Sequence, residues 1–180
     1  MENVALVKPS EGYAEEIRAY RQELMDNGGH THGDSGLAEF EDIQAWIEQC
    51  RLSEHRETVP HPHWVEAEQF MLVRCTDRKV LGMINFRHAL NDYLEQYGGH
   101  IGYGVRPSEQ RKGYAKEMLA LCLEKGRVFG LARVLITCCH DNEASRRTIL
   151  ACGGKFEREI LEDAKIVERY WVTLDLPKED

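Results

Sequence analysis

The sequence predicts a mixed α/β (α+β) fold: a mostly antiparallel sheet of about seven strands, flanked by helices, with one parallel pair at its centre. Three observations carry that expectation. Short apolar runs bounded by turn residues recur along the chain in strand-like lengths. Two amphipathic helical segments precede most of them. A long helical stretch, residues 115–129, then links two strands, and a crossover of that length joins parallel neighbours in the right-handed sense.

Val4 to Val7 reads as a short strand closed by Pro9 and Ser10. Ile17, Tyr20 and Leu24 mark one face of a helix ending near Asn27-Gly28-Gly29, and Leu37, Phe40, Ile43, Trp46, Ile47 and Cys50 define a second. Between them, His30-Thr31-His32-Gly33-Asp34-Ser35-Gly36 is too polar and glycine-rich for a regular element, and Ser53 to His63, with Pro60-His61-Pro62, is another loop. Gln69 to Cys75 and Val80 to Arg87 form an antiparallel hairpin around Thr76-Asp77-Arg78-Lys79. After the connection His88 to Gly98 comes the strand His100 to Val105. The crossover helix carries Ala115, Met118, Leu119, Cys122 and Phe129 at helical spacing, with Gly130 as its cap. Arg133 to Cys139 is the next strand. Asn142 caps a helix running to Cys152 and stopped by Gly153-Gly154, and Lys155 to Leu161 with Ile166 to Leu174 make a closing hairpin around Glu162-Asp163. No repeat or linker interrupts the 180 residues, which read as a single domain, 1–180.

Hydrophobic residues make up 42% and charged residues 30% of the chain, as in ordinary globular proteins. A formal net charge of -8 argues against a general nucleic-acid binder, which carries a basic face. It mildly favours a cationic partner. No segment has the length of a membrane span or a signal peptide, so no membrane partner is expected. The six cysteines lack C-x-x-C or paired ligand spacing and fall mostly on apolar faces, which suits a reducing, cytoplasmic setting. His30, His32, His55, His61 and His63 include two H-x-H pairs, but these sit in loops without a carboxylate or cysteine at a defined spacing, so no metal site is expected.

The most informative stretch is Gln110-Arg111-Lys112-Gly113-Tyr114-Ala115. It places two cations and a glycine where a strand turns into a helix. Unpaired backbone N–H groups and the helix dipole favour an anion there, and Gly113 keeps a Cβ out of the way, so the turn reads as a pyrophosphate cradle. With Gln110, Gly113 and Ala115 in place, the stretch resembles the signature of the GNAT superfamily of acyl-CoA-dependent N-acetyltransferases: Gln or Arg, two variable residues, Gly, one variable residue, then Gly or Ala. Asn142-Glu143-Ala144-Ser145-Arg146-Arg147 follows the next strand, as in the superfamily's ribosomal-protein-acetyltransferase-like branch. The resemblance covers roughly residues 68 to 174 and matches the first 65 only in layout. It implies that the central parallel strands splay apart and that acetyl-CoA is the acetyl donor.

By that resemblance, Val105 presents backbone N–H to the pantetheine arm and thioester carbonyl, where such donors stabilise the oxyanion formed as an amine attacks. Gly102 and Gly104 beside it suit a bulge or a close backbone approach. Arg111 and Lys112 contact phosphate, while the amides of Gly113, Tyr114 and Ala115 supply oriented donors. Asn142 caps its helix and, by resemblance, bonds the pantetheine amides; Ser145 lies near the cofactor. Many family members carry a tyrosine seven residues after this asparagine to protonate the departing thiolate, and Ile149 stands there instead. A thiolate leaving group with a pKa near ~8.5 needs little such help. For the base that deprotonates the amine, His100 and His88 are the candidates. Arg87 and Asn91 flank His88 in the segment leading into the loop that overhangs the splayed strands, and are read as substrate-binding.

The chain is therefore expected to transfer acetyl from acetyl-CoA to a primary amine by direct attack in a ternary complex. A covalent route through Cys138-Cys139 lacks an activating pattern beyond adjacent His140. The alternative is a non-catalytic acyl-CoA-binding sensor or regulatory module. The branch resemblance points to a protein N-terminus as acceptor, and the acidic composition suits a small-molecule amine such as a polyamine or aminoglycoside. Loops 27–36, 51–66 and 88–99 decide between them. A homodimer is common among resembling proteins.

Overall fold

Strands β1 (Val4–Val7), β2 (Ala67–Arg74), β3 (Val80–Arg87), β4 (Ile101–Val105), β5 (Arg133–Cys139), β6 (Lys155–Glu162) and β7 (Lys165–Thr173) form one sheet in the computed structural model. The structure describes residues 3–29 and 32–175. The sheet order is β1-β2-β3-β4-β5-β7-β6, with every neighbouring pair antiparallel except β4 and β5. Those two run parallel because the helix between them carries the chain back across the sheet.

Helices α1 (Ala14–Asp26) and α2 (Ile43–Leu52) cover one face, where Ile17, Tyr20 and Trp46 pack with Met71 and Met83. Helices α3 (Tyr114–Phe129) and α4 (Glu143–Ala151) cover the other, where Met118, Leu119, Cys122 and Ile149 pack with Leu72, Ile84 and Phe86. The alternation of Met83 against Ile84 and of Met71 against Leu72 feeds both layers from single strands. These central strands are buried on both faces, so they read as continuous apolar runs.

The expected helix from Leu37 to Cys50 is two pieces. A single 3-10 turn spans Leu37–Glu39, the chain extends at Phe40, and Asp42 then caps α2 by accepting the Gln44 N–H at 2.9 Å. An aspartate offering its carboxylate to the backbone competes with helix at that position, which the apolar spacing alone did not register. The connection 88–98 holds a single π-type turn, Leu94–Gly98, and the last hairpin turns at Asp163 and Ala164, one position later than expected. His30 of the expected polar loop lies outside the described residues.

Gly102 and Gly104 sit in an unbroken β3–β4 register, without a bulge. The close approach there is made by the chain's own loop: a Cβ at Gly104 would lie 2.8 Å from the His32 carbonyl oxygen, and a Cβ on Gly33 would collide with the Gly102 carbonyl and the Tyr103 Cα. Gly33 also holds φ at 70°, so both space and dihedral demand glycine. Gly113 has φ 91° with open space where a Cβ would go. Gly33→Ala is therefore expected to lower stability by at least ~2 kcal/mol and Gly113→Ala by only ~1 kcal/mol. Urea denaturation of the two variants checks the order; equal losses would mean that the loop is not pressed on β4.

Candidate functional site

The parallel pair meets at one point. Ile101 is in register with Ile136, and no later residue of β4 pairs with β5. His100 ties that apex: its N–H donates to the Leu135 carbonyl at 2.8 Å, and its Nδ1 accepts the Leu135 N–H at 2.9 Å. Beyond it the strands part and leave a wedge. The Arg87 N–H bonds the His100 carbonyl and the Arg106 N–H bonds the Leu81 carbonyl, so the carbonyl of residue 100 and the polar backbone of alternate residues 102, 104 and 106 turn to β3. Tyr103 and Val105 thereby turn theirs away from β3, toward the wedge.

The open end of the wedge leads into the cradle. Pro107–Glu109 make one 3-10 turn, Arg111 takes φ 61° and Gly113 φ 91°, and α3 begins at Tyr114. Left-handed conformations at 111 and 113 lead straight into the N-terminus of the 16-residue helix, the end whose dipole favours an anion. Gln110 folds back, its Nε2 donating to the Val105 carbonyl at 3.4 Å. The Arg111 guanidinium is exposed and has no ion-pair partner among the described residues. Lys112 is different: its Nζ donates to Glu109 at 2.8 Å. Tyr114 is buried, and Ala115 is half-buried beside it.

Residues the sequence reading passed over hold this loop in place. Arg106 is buried and reaches Glu23 at 2.6 Å, Glu16 at 3.1 Å and the Val80 carbonyl at 3.2 Å, while the Ser108 N–H donates to Glu23 at 2.7 Å. Glu109, also buried, takes Lys79 at 2.7 Å beside Lys112. Burial would raise the Glu109 carboxyl, and its lysine partners outweigh that, holding it below the usual carboxylate range. The signal available in the sequence was a charged residue on each side of Pro107-Ser108.

On the α4 side, Asn142 caps the helix by accepting the Ser145 N–H at 3.0 Å. The Ser145 hydroxyl lies 2.9 Å from the Tyr103 hydroxyl, which spans from β4 to the first turn of α4. Ile149, in the place of the family's tyrosine, is fully buried.

On the other face of β4 lies a polar cleft of about 380 Å³, lined by residues of the 32–36 loop, Glu39, Asn85 and Arg87. Gln69 anchors it, donating to the Gly33 carbonyl at 2.9 Å and accepting from Ser35 at 2.6 Å, while the Asn85 Nδ2 donates to Ser35 at 3.1 Å. Arg87 donates to the carbonyls of Gly98 and Gly99, both at 3.0 Å, and burial lowers its pKa. Asn91 is elsewhere, in a second cleft with Trp64 and Tyr93, where its Nδ2 donates to the His63 carbonyl at 2.9 Å. The structure thus separates the two residues read as substrate-binding.

The two histidines are also apart. His88 lies past the end of β3 on the α3 face, stacked on Phe129 with ring centroids 4.4 Å apart and 3.2 Å from Glu68. The His88 contact, with Lys8 beside it, lowers the Glu68 carboxyl to about 2. Phe129 ends α3, about 22 Å along the helix from the cradle at 1.5 Å per residue. His100 is buried, and desolvation, reinforced by Arg87, lowers its pKa to about 4. Since Nδ1 accepts a backbone N–H, the neutral ring carries its proton on Nε2. His140 contacts Glu159 and Glu168 at 3.1 and 2.9 Å on the far hairpin, but Arg146 already engages Glu168 at 2.7 Å.

Comparison with known proteins finds that the acetyltransferase (GNAT) domain model matches residues 4–155. An uncharacterized N-acetyltransferase of Bacillus subtilis (strain 168), YoaA, is 33% identical over 87 residues, which are 48% of this chain and 46% of that protein. The match thus spans about half the length of that relative. The microcin C7 self-immunity acetyltransferase MccE, solved with acetyl-CoA and AMP, superposes with a TM-score of 0.71 at 21% identity, covering 97% of this chain and 94% of that one. The ribosomal-protein-S5-alanine acetyltransferase from Vibrio fischeri gives 0.71 at 18% identity, covering 96% and 94%. At these identities the superpositions establish a shared fold.

His100 makes the fold acid-sensitive in a defined window. An unfolded histidine protonates near pH 6.5 and the folded one only near 4, so acid favours the unfolded chain. The contribution is complete above about pH 6.5 and is lost as pH falls toward 4, with ~2 kcal/mol gone by about pH 5. Urea denaturation at pH 7 and pH 5 is expected to show this loss in the parent chain and its reduction in His100→Asn, whose amide oxygen can take the Leu135 N–H without titrating.

Proposed function

The chain belongs to the acetyltransferase (GNAT) domain family, and from that membership we propose that it moves an acetyl group from acetyl-CoA to a primary amine by direct attack in a ternary complex. It has the family's fold, a seven-stranded, mostly antiparallel sheet with a parallel central pair. The observation that carries the proposal is a continuity: the glycine-containing turn that starts α3, with its left-handed residues 111 and 113, follows directly on the strand that parts from β5. A diphosphate with a long, amide-bearing arm fits that combination, and the solved relative with acetyl-CoA bound is consistent with it.

In this reading Gly113, Tyr114 and Ala115 hold the pyrophosphate through backbone N–H groups, with Arg111 adding charge at the rim. Lys112 acts chiefly on Glu109, so it sets the loop more than it binds phosphate. Gln110 closes the loop on Val105, and the Val105 and Tyr103 N–H groups, directed into the wedge, serve the arm and the thioester oxygen. Asn142 and Ser145 form the opposite wall. Acetyl-CoA supplies an activated acyl group; the chain supplies position and oriented dipoles.

The acceptor amine enters from the other face of β4, through the cleft that Arg87 lines. Its carboxylates, Asp34 and Glu39, suit a cationic amine, and Arg87 suits an acceptor with a carbonyl or carboxylate near that amine, as a peptide N-terminus has. Asn91 belongs to a second contact surface for a larger acceptor. With its Nε2 protonated, His100 positions β4 against β5, and the amine's proton passes through water in the cleft. His88 serves only through intervening solvent, from its place behind Phe129. The six free cysteines fit a reducing, cytoplasmic setting.

The test is thiol release from acetyl-CoA across peptides with varied N-termini, polyamines and aminoglycosides. Amine-dependent release is the expected result. Saturable binding without release from any amine would instead favour an acyl-CoA sensor, a reading that Ile149 in the tyrosine's place keeps open. Arg111→Ala is expected to weaken acetyl-CoA binding roughly tenfold and Lys112→Ala less than about threefold, both with little change in kcat. Calorimetric titration checks the order, and equal losses would mean that Glu109 does not detain Lys112.

A further inference from the structure

We infer that Tyr103, oriented by Ser145, supplies the hydrogen bond that receives the coenzyme A sulfur as the thioester breaks, a role resting on the transferase reading above. A group beside the leaving sulfur would steady the thiolate without having to protonate it, and Ile149 cannot be one. It is fully buried, packed among Met118, Leu119 and Cys122. A phenol does reach the same helix face, but from the opposite wall. Tyr103 leaves β4 on the α3 and α4 side, and its hydroxyl stands 2.9 Å from the Ser145 hydroxyl and 3.3 Å from the Ser145 carbonyl. Ser145, Thr148, Ile149 and Cys152 share one face of α4 at helical spacing, so the phenol meets that face where a tyrosine from position 149 would have emerged.

Position along the wedge supports the assignment. Tyr103 lies two residues, ~7 Å, from Val105 at the cradle end and the same from Ile101 at the apex. A ligand anchored by its phosphates at the cradle and directed toward the apex runs past it. Burial pushes the Tyr103 hydroxyl up to about 12, against the smaller lowering by Ser145, so the phenol keeps its proton through neutral and alkaline pH. A thiol titrates far below that, near ~8.5. Tyr103 is thus a donor of a hydrogen bond and not of a proton. As the acceptor nitrogen bonds to the acyl carbon and the carbon–sulfur bond breaks, the electron pair goes to sulfur, and the nitrogen's excess proton goes to water. The phenol O–H turns from Ser145 to the thiolate, and the serine hydroxyl donates to the phenol oxygen.

The other groups around the hydroxyl are Thr148 on α4, Cys138 on β5 and Cys152 after α4. Burial raises both thiols, Cys138 to about 12, and beyond Cys138 lies the Glu168–Arg146 ion pair at 2.7 Å. Tyr103→Phe leaves all of these in place, so its difference from the parent at each pH isolates the hydroxyl.

The experiment is calorimetric titration of CoA, and of desulfo-CoA, into the parent chain, Tyr103→Phe and Ser145→Ala at about pH 6.5 and about pH 9.5, either side of a free thiol's pKa. The parent is expected to gain roughly tenfold in CoA affinity relative to desulfo-CoA between the two pH values, the worth of one charge-assisted hydrogen bond to the thiolate. That gain is expected to vanish in Tyr103→Phe and to shrink in Ser145→Ala, while any change either makes in desulfo-CoA affinity is the same at the two pH values. Equal weakening of both ligands in Tyr103→Phe at both pH values would reduce Tyr103 to a strut between β4 and α4 and overturn the inference. So would a parent chain whose CoA affinity does not rise with pH. Failure of the parent to bind CoA at either pH would overturn the transferase reading itself.

Discussion

β4 and β5 share a single register pair, and the rest of the molecule is arranged around that restraint. A parallel neighbour would ordinarily continue the ladder. Here the ladder stops at Ile101 and Ile136, leaving the Tyr103 and Val105 backbone groups facing a gap. Backbone polar groups that lose a strand partner cost stability unless water or a ligand serves them, so a gap in mid-sheet is tolerated where something is meant to enter. His100 marks the last closed position by taking both polar groups of Leu135, and the imidazole must be neutral to do so. The same burial that makes it a good strand clip makes it a poor base.

Two buried ionic groups hold the far end of the gap. Arg106 draws α1 toward the β4 terminus through Glu16 and Glu23, and Glu109 draws in Lys79 and Lys112. Buried ion pairs are weak arguments for stability, because desolvation offsets much of their attraction. Their clearer effect is geometric: they define where Pro107–Glu109 turns, and hence where the 110–113 backbone points its amides. In the proposed function the turn would hold its anion in a chain of net charge -8 through oriented dipoles and a rim arginine, which act locally where the net field does not favour the ligand.

Much of this was legible in the sequence, and the reason differs by element. The strands came from apolar runs, the crossover from the 3.6-residue period of Met118, Leu119 and Cys122, and the strand-to-helix turn at 110–114 from its glycine and polar residues. The Asn142 cap was legible because the capping chemistry is local. What stayed hidden depends on residues distant in sequence. Gln69 joins Gly33 and Ser35, Arg106 finds Glu23 across 83 positions, and Arg87 and Asn91 enter separate clefts although they are four residues apart. The glycines are an instructive middle case: Gly102 and Gly104 announced a close approach, but only the fold showed that the approaching backbone was the chain's own at His32 and Gly33.

That approach gives β4 two chemically distinct faces. Side chains of 102 and 104 would point toward the α1 and α2 layer, and because both are glycine the 32–36 loop lies directly on the strand and brings its polar cleft to the same level. Tyr103, between them, points to the opposite layer and meets α4. A five-residue strand therefore separates a polar cleft from a partly buried phenol by one backbone thickness. A reaction between two substrates held on opposite sides needs that thinness, since reacting atoms must come within about 3.5 Å. The gap beside β4 is where they can meet. The pattern Gly-Tyr-Gly is thus explained by what lies on each side of it: small where another backbone must come close, large where a hydroxyl must cross to the facing helix.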